Sequence, residues 1–137
     1  MDMRQNKNIM LSMEEIRELK EQSPNRSGCW EIDWGPETFS QASKNAKNKS
    51  ILTLVVHRES YYVLEMHLSH SDEIGKGVSA FVNAIKKKMV LPDIIMVRDK
   101  ILADELASVA EVLSCKIQIS PLKAIPQIRR DLRRLMS

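Results

Sequence analysis

Glycine-rich loops and nucleophile turns are missing from this 137-residue sequence, which contains only four glycines. It has no Gly-x-Ser-x-Gly turn, no glycine-rich phosphate loop and no paired-cysteine motif, so the local signatures of three common classes of site are absent. Aromatic residues make up 4% of the chain, and the stacking platforms typical of single-strand binding are therefore scarce. The sequence contains no complete catalytic or metal-binding constellation.

Cysteines and long apolar runs are also few. Cys29 and Cys115 could form a disulfide only if the fold brought their Cα atoms to about 5.5 Å, and isolated cysteines are more often small buried apolar residues. No run approaches the roughly 20 apolar residues that a bilayer-spanning helix needs, and the N-terminus lacks the core of a signal peptide. These features predict a cytoplasmic protein with reduced thiols.

Apolar residues recur with regular periods along most of the chain, and these periods predict its secondary structure. A capping-box spacing from Ser12 to Glu15 begins a short helix, which we expect to lie on the main domain or against another subunit. Alternating or β-branched runs predict strands, and apolar residues three and four positions apart predict helices. The predicted elements are a helix over 13–22, strands over 29–34, 51–57, 61–68, 94–97 and 116–119, a helix over 72–89, a helix with its apolar stripe from Leu102 to Leu113, and a final helix opened by Pro121 or Pro126.

This order of elements predicts one α/β domain with a mixed five-stranded sheet flanked by helices. Strands 51–57 and 61–68 form an antiparallel hairpin, while the later strand-helix-strand units favour parallel pairs with right-handed crossovers. We divide the chain into an N-terminal tail and short helix, residues 1–28, and the α/β domain, residues 29–137. The polar segment 41–50 is predicted to be a mobile loop.

Positive charge is concentrated near the C-terminus, although the net charge is only +3. Arginines four residues apart lie along one edge of a helix, where their guanidinium groups can grip phosphates in a forked geometry. The alternative is that they balance the helix dipole and keep an exposed face soluble. The predicted binding residues for a nucleic acid or an acidic protein are Lys123, Arg129, Arg130, Arg133 and Arg134.

The layout of three early strands followed by helix, strand, helix, strand and helix resembles the ribonuclease H-like superfamily, which includes integrase and transposase cores. The segment Trp30-Glu31-Ile32-Asp33 looks like the Trp-x-x-Asp of an integrase first strand. The segment from Pro92 to Asp99 looks like its fourth strand, which ends in Asp. From about Trp30 to Met136 the chain is also similar to a bacterial domain family of unknown function, which implies no activity.

The resemblance to integrase cores implies a divalent-metal nuclease or a transposase-derived enzyme as one hypothesis. Two-metal phosphodiester hydrolysis needs several carboxylates that converge on two Mg²⁺ or Mn²⁺ ions. Asp33 and Asp99 occupy suitable strand positions, and Asp131 is the nearest acid on the last helix, where an integrase presents a glutamate. Asp99 and Asp33 also have structural explanations, because Asp99 can cap the helix that follows it and Asp33 can be an outward-facing strand residue.

The histidines do not predict a better metal site. In the hairpin, His57 should lie opposite Tyr62 and His67 opposite Leu52. These positions are too far apart for both rings to bind one ion at ordinary ligand distances.

Our first hypothesis is a non-catalytic binding or interaction module of ribonuclease H-like shape, without a cofactor, whose basic C-terminal helix contacts an acidic protein or a nucleic acid. The alternative is the metal-dependent enzyme with Asp33, Asp99 and Asp131 as catalytic residues. A third hypothesis is a homo-oligomer or obligate subunit joined through the N-terminal helix and a sheet edge. The first two hypotheses require that the strand containing Asp33 and the strand that leads to Asp99 are neighbours in the sheet.

Overall fold

The computed structural model describes residues 13–36, 51–69 and 76–136. The predicted N-terminal tail, the predicted loop over 41–50 and the predicted start of the helix at residue 72 lie outside these ranges. The helices are α1 (Met13–Gln22), α2 (Lys76–Lys88), α3 (Lys100–Leu113) and α4 (Ala124–Met136), and the strands are β1 (Asn25–Arg26), β2 (Cys29–Pro36), β3 (Ile51–His57), β4 (Tyr62–Ser69), β5 (Val90–Leu91), β6 (Ile94–Val97) and β7 (Lys116–Ile119). Within the same ranges, no helix has the length and apolar character needed to cross a bilayer.

The main sheet has five strands in the order β4-β3-β2-β6-β7. Strand β2 pairs with β3, and β3 with β4, in antiparallel fashion, while β6 lies parallel to both β2 and β7. The predicted mixed five-stranded sheet is therefore confirmed. Strands β1 and β5 form a separate two-stranded parallel sheet that we did not predict, because two residues are too few to show a period.

The hairpin of β3 and β4 contains an irregularity that shifts its pairing. His57 lies opposite Tyr62, as predicted, but the register changes between Val55 and Val56. Leu64 is the residue left without a partner in the register, so two residues of β4 face one of β3, which is the geometry of a β-bulge. His67 consequently lies opposite Thr53, and its predicted position opposite Leu52 is wrong.

Both faces of the main sheet are packed by helices, which explains why β3 is apolar at almost every position. On one face, a large core cluster joins the sheet to α1, α2 and α3, and the Trp30 and Phe81 rings meet edge to face with centroids 5.9 Å apart. On the other face, a smaller cluster joins Leu54 and its neighbours on β3 to α4. Helix α1 packs on α3 and buries Ile16 and Leu19, so it lies on the main domain, the first of its two expected positions.

Candidate functional site

A cluster of charged residues lies where β2 and β6 end side by side. Glu31 of β2 lies opposite Met96 of β6 in a parallel pair, which confirms that these two strands are neighbours. Two residues further along, Asp33 meets Arg98, whose Nε donates to both carboxylate oxygens at 2.9 and 3.0 Å. Asp33 is 5% exposed, so the alternative explanation of Asp33 as an outward-facing strand residue is wrong, because α4 packs over this face of the sheet.

Helix α4 contributes a second guanidinium group to Asp33. Arg129 Nη2 lies 3.8 Å from Asp33 Oδ2, and only 18% of the Arg129 side chain is exposed. This distance allows an ion pair but is too long for a hydrogen bond. Nη2 is buried and has no hydrogen-bond partner among the described residues. Arg129 is therefore a largely buried cation whose charge is only partly compensated.

The pKa values in this cluster reflect the competition between burial and charge pairing. Burial raises the pKa of Asp33 above its usual value, although the hydrogen bond from Arg98 and the charges of Arg98 and Arg129 oppose this shift. The Arg98 side chain is 56% exposed, and its pKa is raised mainly by the hydrogen bond to Asp33. Burial lowers the pKa of Arg129, against the opposing attraction of Asp33. An additional anion beside Arg129 would favour its charged form.

Beside this cluster is a pocket of about 410 Å³, which we call the Asp33 pocket. Arg98, Arg129, Arg130 and Arg133 line it together with Asp33, so positive charges exceed negative ones there. Gly35 and Pro36 at the end of β2, with apolar and proline residues from the start of α4 and the segment before it, complete the lining. The pocket can therefore hold an anionic group while an attached apolar group contacts the helix.

Of the five predicted binding residues, three line the Asp33 pocket and two do not. Arg129, Arg130 and Arg133 line the Asp33 pocket, whereas Lys123 and Arg134 are not part of its lining. Lys123 Nζ instead lies 5.9 Å from the centroid of the Tyr61 ring. The role of all five in binding stays a prediction. Arg98 was not among the predicted binding residues. Its position directly after an apolar strand could have indicated that it lies at the same sheet edge as Asp33.

The three predicted catalytic acids have separate protein partners. Asp99 Oδ1 accepts the Leu102 N–H at 2.9 Å, which confirms Asp99 as the N-cap of α3. Asp131 Oδ1 accepts a hydrogen bond from Gln127 Nε2 at 3.0 Å, while Asp33 is held by Arg98. Across the three described ranges, no group of three or more His, Cys, Asp or Glu side chains is arranged to hold a metal ion. These acids do not fit a two-metal centre in this arrangement.

Glu31 is a functional residue of another kind, because it fixes the position of α4. Its carboxylate is fully buried and accepts the backbone N–H groups of Lys123, Ala124 and Ile125 at 2.9 to 3.1 Å. Arg58 Nη1 also donates to Glu31, at 2.6 Å. The sequence shows Glu31 only as the polar member of an alternating strand, and nothing local indicates that it caps a helix 93 residues later.

A second group of polar side chains surrounds His57. His57 Nε2 lies 3.2 Å from Ser27 Oγ, and Nδ1 lies 2.7 Å from Ser60 Oγ and 3.3 Å from the Ser60 backbone N–H. A hydroxyl can both donate and accept, so these contacts assign no catalytic role to His57.

The mixed sheet, with helices on both faces, defines the class of this protein as an α/β domain with the integrase-core, ribonuclease H-like fold. It is similar to the HTLV-2 integrase catalytic core domain in complex with magnesium, trimeric form, with a TM-score of 0.61 and 16% identity over 77% of this chain and 66% of that one. The BIV integrase catalytic core gives a TM-score of 0.57 and 16% identity over 77% and 66%. A chain in the simian T-cell lymphotropic virus intasome, in complex with PP2A regulatory subunit B56 gamma, gives 0.63 and 12% over 81% and 40%.

Sequence comparison then identifies the family. Residues 15–133 match the family described as a domain of unknown function, DUF6930, and the chain belongs to it. The predicted resemblance to a family of unknown function with a ribonuclease H-like layout is thus confirmed. Among curated proteins, none matches this chain.

Proposed function

We propose that this protein is a non-catalytic binding module that holds the phosphates of a nucleic acid at the Asp33 pocket and along the adjacent part of α4. The observation that supports this proposal is the excess of guanidinium groups around one carboxylate. Arg98 and Arg129 both approach Asp33, and Arg130 and Arg133 line the same pocket. One carboxylate balances the charge of one guanidinium, so an anionic partner can neutralise the rest.

The kind of basic residue favours phosphate over other anions. The basic residues that line the pocket are arginines, whose planar groups can donate two parallel hydrogen bonds to a phosphate. Lys123 and Arg134 lie outside the lining, one just before α4 and the other near its end, and are separated by about 15 Å of helix at 1.5 Å per residue. Phosphates repeat regularly along a nucleic acid, so one molecule can place phosphates at the pocket and at Lys123 or Arg134 as well.

The chemistry of the pocket also predicts how binding should depend on salt. No aromatic side chain lines the Asp33 pocket as the described residues define it, so base stacking contributes little there. Binding should therefore depend mainly on phosphate contacts and weaken steeply as salt is added.

Replacing Arg130 and Arg133 together by alanine should weaken binding about tenfold at low salt and reduce the slope of log affinity against log salt by about 1.4 to 1.8, because each lost phosphate contact removes roughly 0.7 to 0.9. Both side chains are exposed, so the fold should be unaffected. The measurement is fluorescence anisotropy with labelled single-stranded and duplex DNA across a salt series.

The matched control replaces Lys86 and Lys116, which are also exposed and lie away from the pocket, by alanine. This variant loses the same formal charge and should bind almost normally. Equal losses in the two variants, or no binding of the wild type at low salt, would contradict the proposal. Binding to polyglutamate in place of DNA would indicate an acidic protein as the partner.

Replacing Asp33 by asparagine should strengthen DNA binding about threefold to tenfold, since the change removes the negative charge that competes for Arg98 and Arg129. The asparagine oxygen can still accept a hydrogen bond from Arg98. A metal-dependent enzyme predicts the opposite, because there Asp33→Ala or Asp33→Asn would abolish Mg²⁺ or Mn²⁺ binding and activity. Anisotropy and calorimetric metal titration of both proteins separate the two results.

The raised pKa of Asp33 adds a pH dependence to the same comparison. Because burial raises this pKa, Asp33 takes up a proton at a higher pH than an exposed aspartate does. Protonation removes its negative charge, so wild-type affinity should rise as the pH falls through the Asp33 pKa. The Asp33→Asn variant should lack this rise, and parallel pH profiles for the two proteins would count against a role for Asp33.

A further inference from the structure

The cations of the Asp33 pocket differ in how far they are buried. Arg130 and Arg133 are exposed, whereas the Arg129 side chain is 18% exposed and Asp33 is almost fully covered. An anion that contacts Arg130 or Arg133 can stay at the surface. An anion that also compensates Arg129 must enter the pocket.

This difference restricts the kind of phosphate that fits. A phosphate inside a continuous strand carries two ester oxygens, and the chain must leave the pocket on both sides of it. A phosphate at the end of a chain, or on a free nucleotide, carries one ester oxygen and can enter with its other oxygens forward. It also carries a charge of roughly −1.5 to −2 at neutral pH, against −1 for an internal phosphate, which suits a pocket with several arginines.

The remaining lining of the pocket suits the group attached to such a phosphate. Pro121, Leu122 and Pro126 are at least partly exposed and present apolar surface beside the arginines. The volume of about 410 Å³ is in the range of small-molecule pockets and exceeds what a phosphate alone would fill. Arg98 is half exposed and bonded to Asp33 through its Nε, so its terminal nitrogens lie beyond that contact.

We infer that the Asp33 pocket is a site for a phosphomonoester group, carried by a nucleotide or by the phosphorylated end of a nucleic acid. Arg129 and Arg98 bind the phosphate, Arg130 and Arg133 attract it at the rim, and the apolar residues contact the attached nucleoside. This inference deepens the proposed function, on which it rests where the ligand is a nucleic acid. The free nucleotide presents the same chemistry without a nucleic acid.

The test compares oligonucleotides of one sequence that carry a 5′-phosphate, a 3′-phosphate or no terminal phosphate, with a nucleoside monophosphate and inorganic phosphate as competitors. We expect a terminal phosphate to strengthen binding about tenfold, as an added set of charge-assisted hydrogen bonds would. Arg129→Lys keeps the charge but removes the fork, and it should reduce this preference to about twofold. Arg98→Ala should do the same, with urea unfolding to show that the variant stays folded without this partner of Asp33, and the Lys86 and Lys116 control should keep the full preference.

The outcomes separate this inference from the proposed function. Salt-sensitive binding that is equal with and without a terminal phosphate would overturn the inference and leave the proposed function standing. Binding of the nucleoside monophosphate, lost in Arg129→Lys, without binding of the unphosphorylated oligonucleotide would support the inference and overturn the nucleic-acid partner. Failure of every probe to bind at low salt would overturn both.

Discussion

Replacing Glu31 by alanine should lower the free energy of unfolding by about 3 to 5 kcal/mol, the usual cost of removing one partner of a buried charge pair. The change leaves Arg58 without its short contact at 2.6 Å. It also leaves the N–H groups of Lys123, Ala124 and Ile125 without their acceptor. Urea unfolding, analysed as a two-state transition, measures this loss.

The start of α4 explains why Glu31 matters so much. A helix begins with N–H groups that have no partner inside the helix, and they need an acceptor where water is excluded. Glu31 accepts from Ala124 and Ile125, the first two residues of α4, and the third residue, Pro126, has no N–H to satisfy. The negative carboxylate also lies at the positive end of the helix dipole.

Two variants test whether the charge and position of Glu31 are both required. Glu31→Gln keeps the length and one acceptor oxygen but places an amide NH₂ among N–H donors, so about 1 to 3 kcal/mol should be lost. The control is Asp104→Ala, an exposed acid on α3, which should change stability by less than about 0.5 kcal/mol. If Glu31→Ala lost no more than Asp104→Ala, Glu31 would not be the residue that fixes α4.

Local periodicity predicted those elements whose apolar residues repeat within a few positions. The bounds of α1, β3, β6 and β7 are the predicted ones, because each sequence shows its period or its apolar run without help from distant residues. Strand β2 continues two residues further, to Pro36, since its partner β3 pairs along its whole length. The bulge in β4 was not predicted, because it depends on how two strands align.

The candidate site was only partly predicted, because local patterns place a residue on an element but do not show which distant residues it contacts. Asp33 was placed correctly on a strand beside β6, and Asp99 was placed correctly at a helix start. Their carboxylates nevertheless have different partners, since Asp99 accepts from α3 while Asp33 is paired with Arg98. Such pairing depends on side-chain direction and sheet register, which a hydrophobic pattern does not specify. For the same reason the sequence did not predict the role of Glu31, whose partners lie far along the chain.

Replacing Arg129 by methionine should weaken DNA binding about 30-fold while leaving the free energy of unfolding within about 1 kcal/mol of the wild-type value, or raising it. The binding loss corresponds to about 2 kcal/mol of charge-assisted contacts. Stability should be almost unchanged because Arg129 Nη2 lacks a hydrogen-bond partner in the described structure and burial lowers the Arg129 pKa. Methionine fills a similar volume without a buried charge, and Asp33 keeps its bonds to Arg98.

The matched control for this prediction is Arg134→Met, which removes the same charge from the same helix but lies outside the pocket lining. It should weaken binding only about twofold to threefold, as the loss of one exposed phosphate contact would. Anisotropy and urea unfolding of both variants give the comparison. A stability loss above about 3 kcal/mol in Arg129→Met would show that Arg129 holds the fold together through Asp33. If Arg129 serves binding instead, Arg129→Met should lose affinity and keep or gain stability. A poorly compensated cation lowers the stability of the free protein, and it binds strongly when an anion is present.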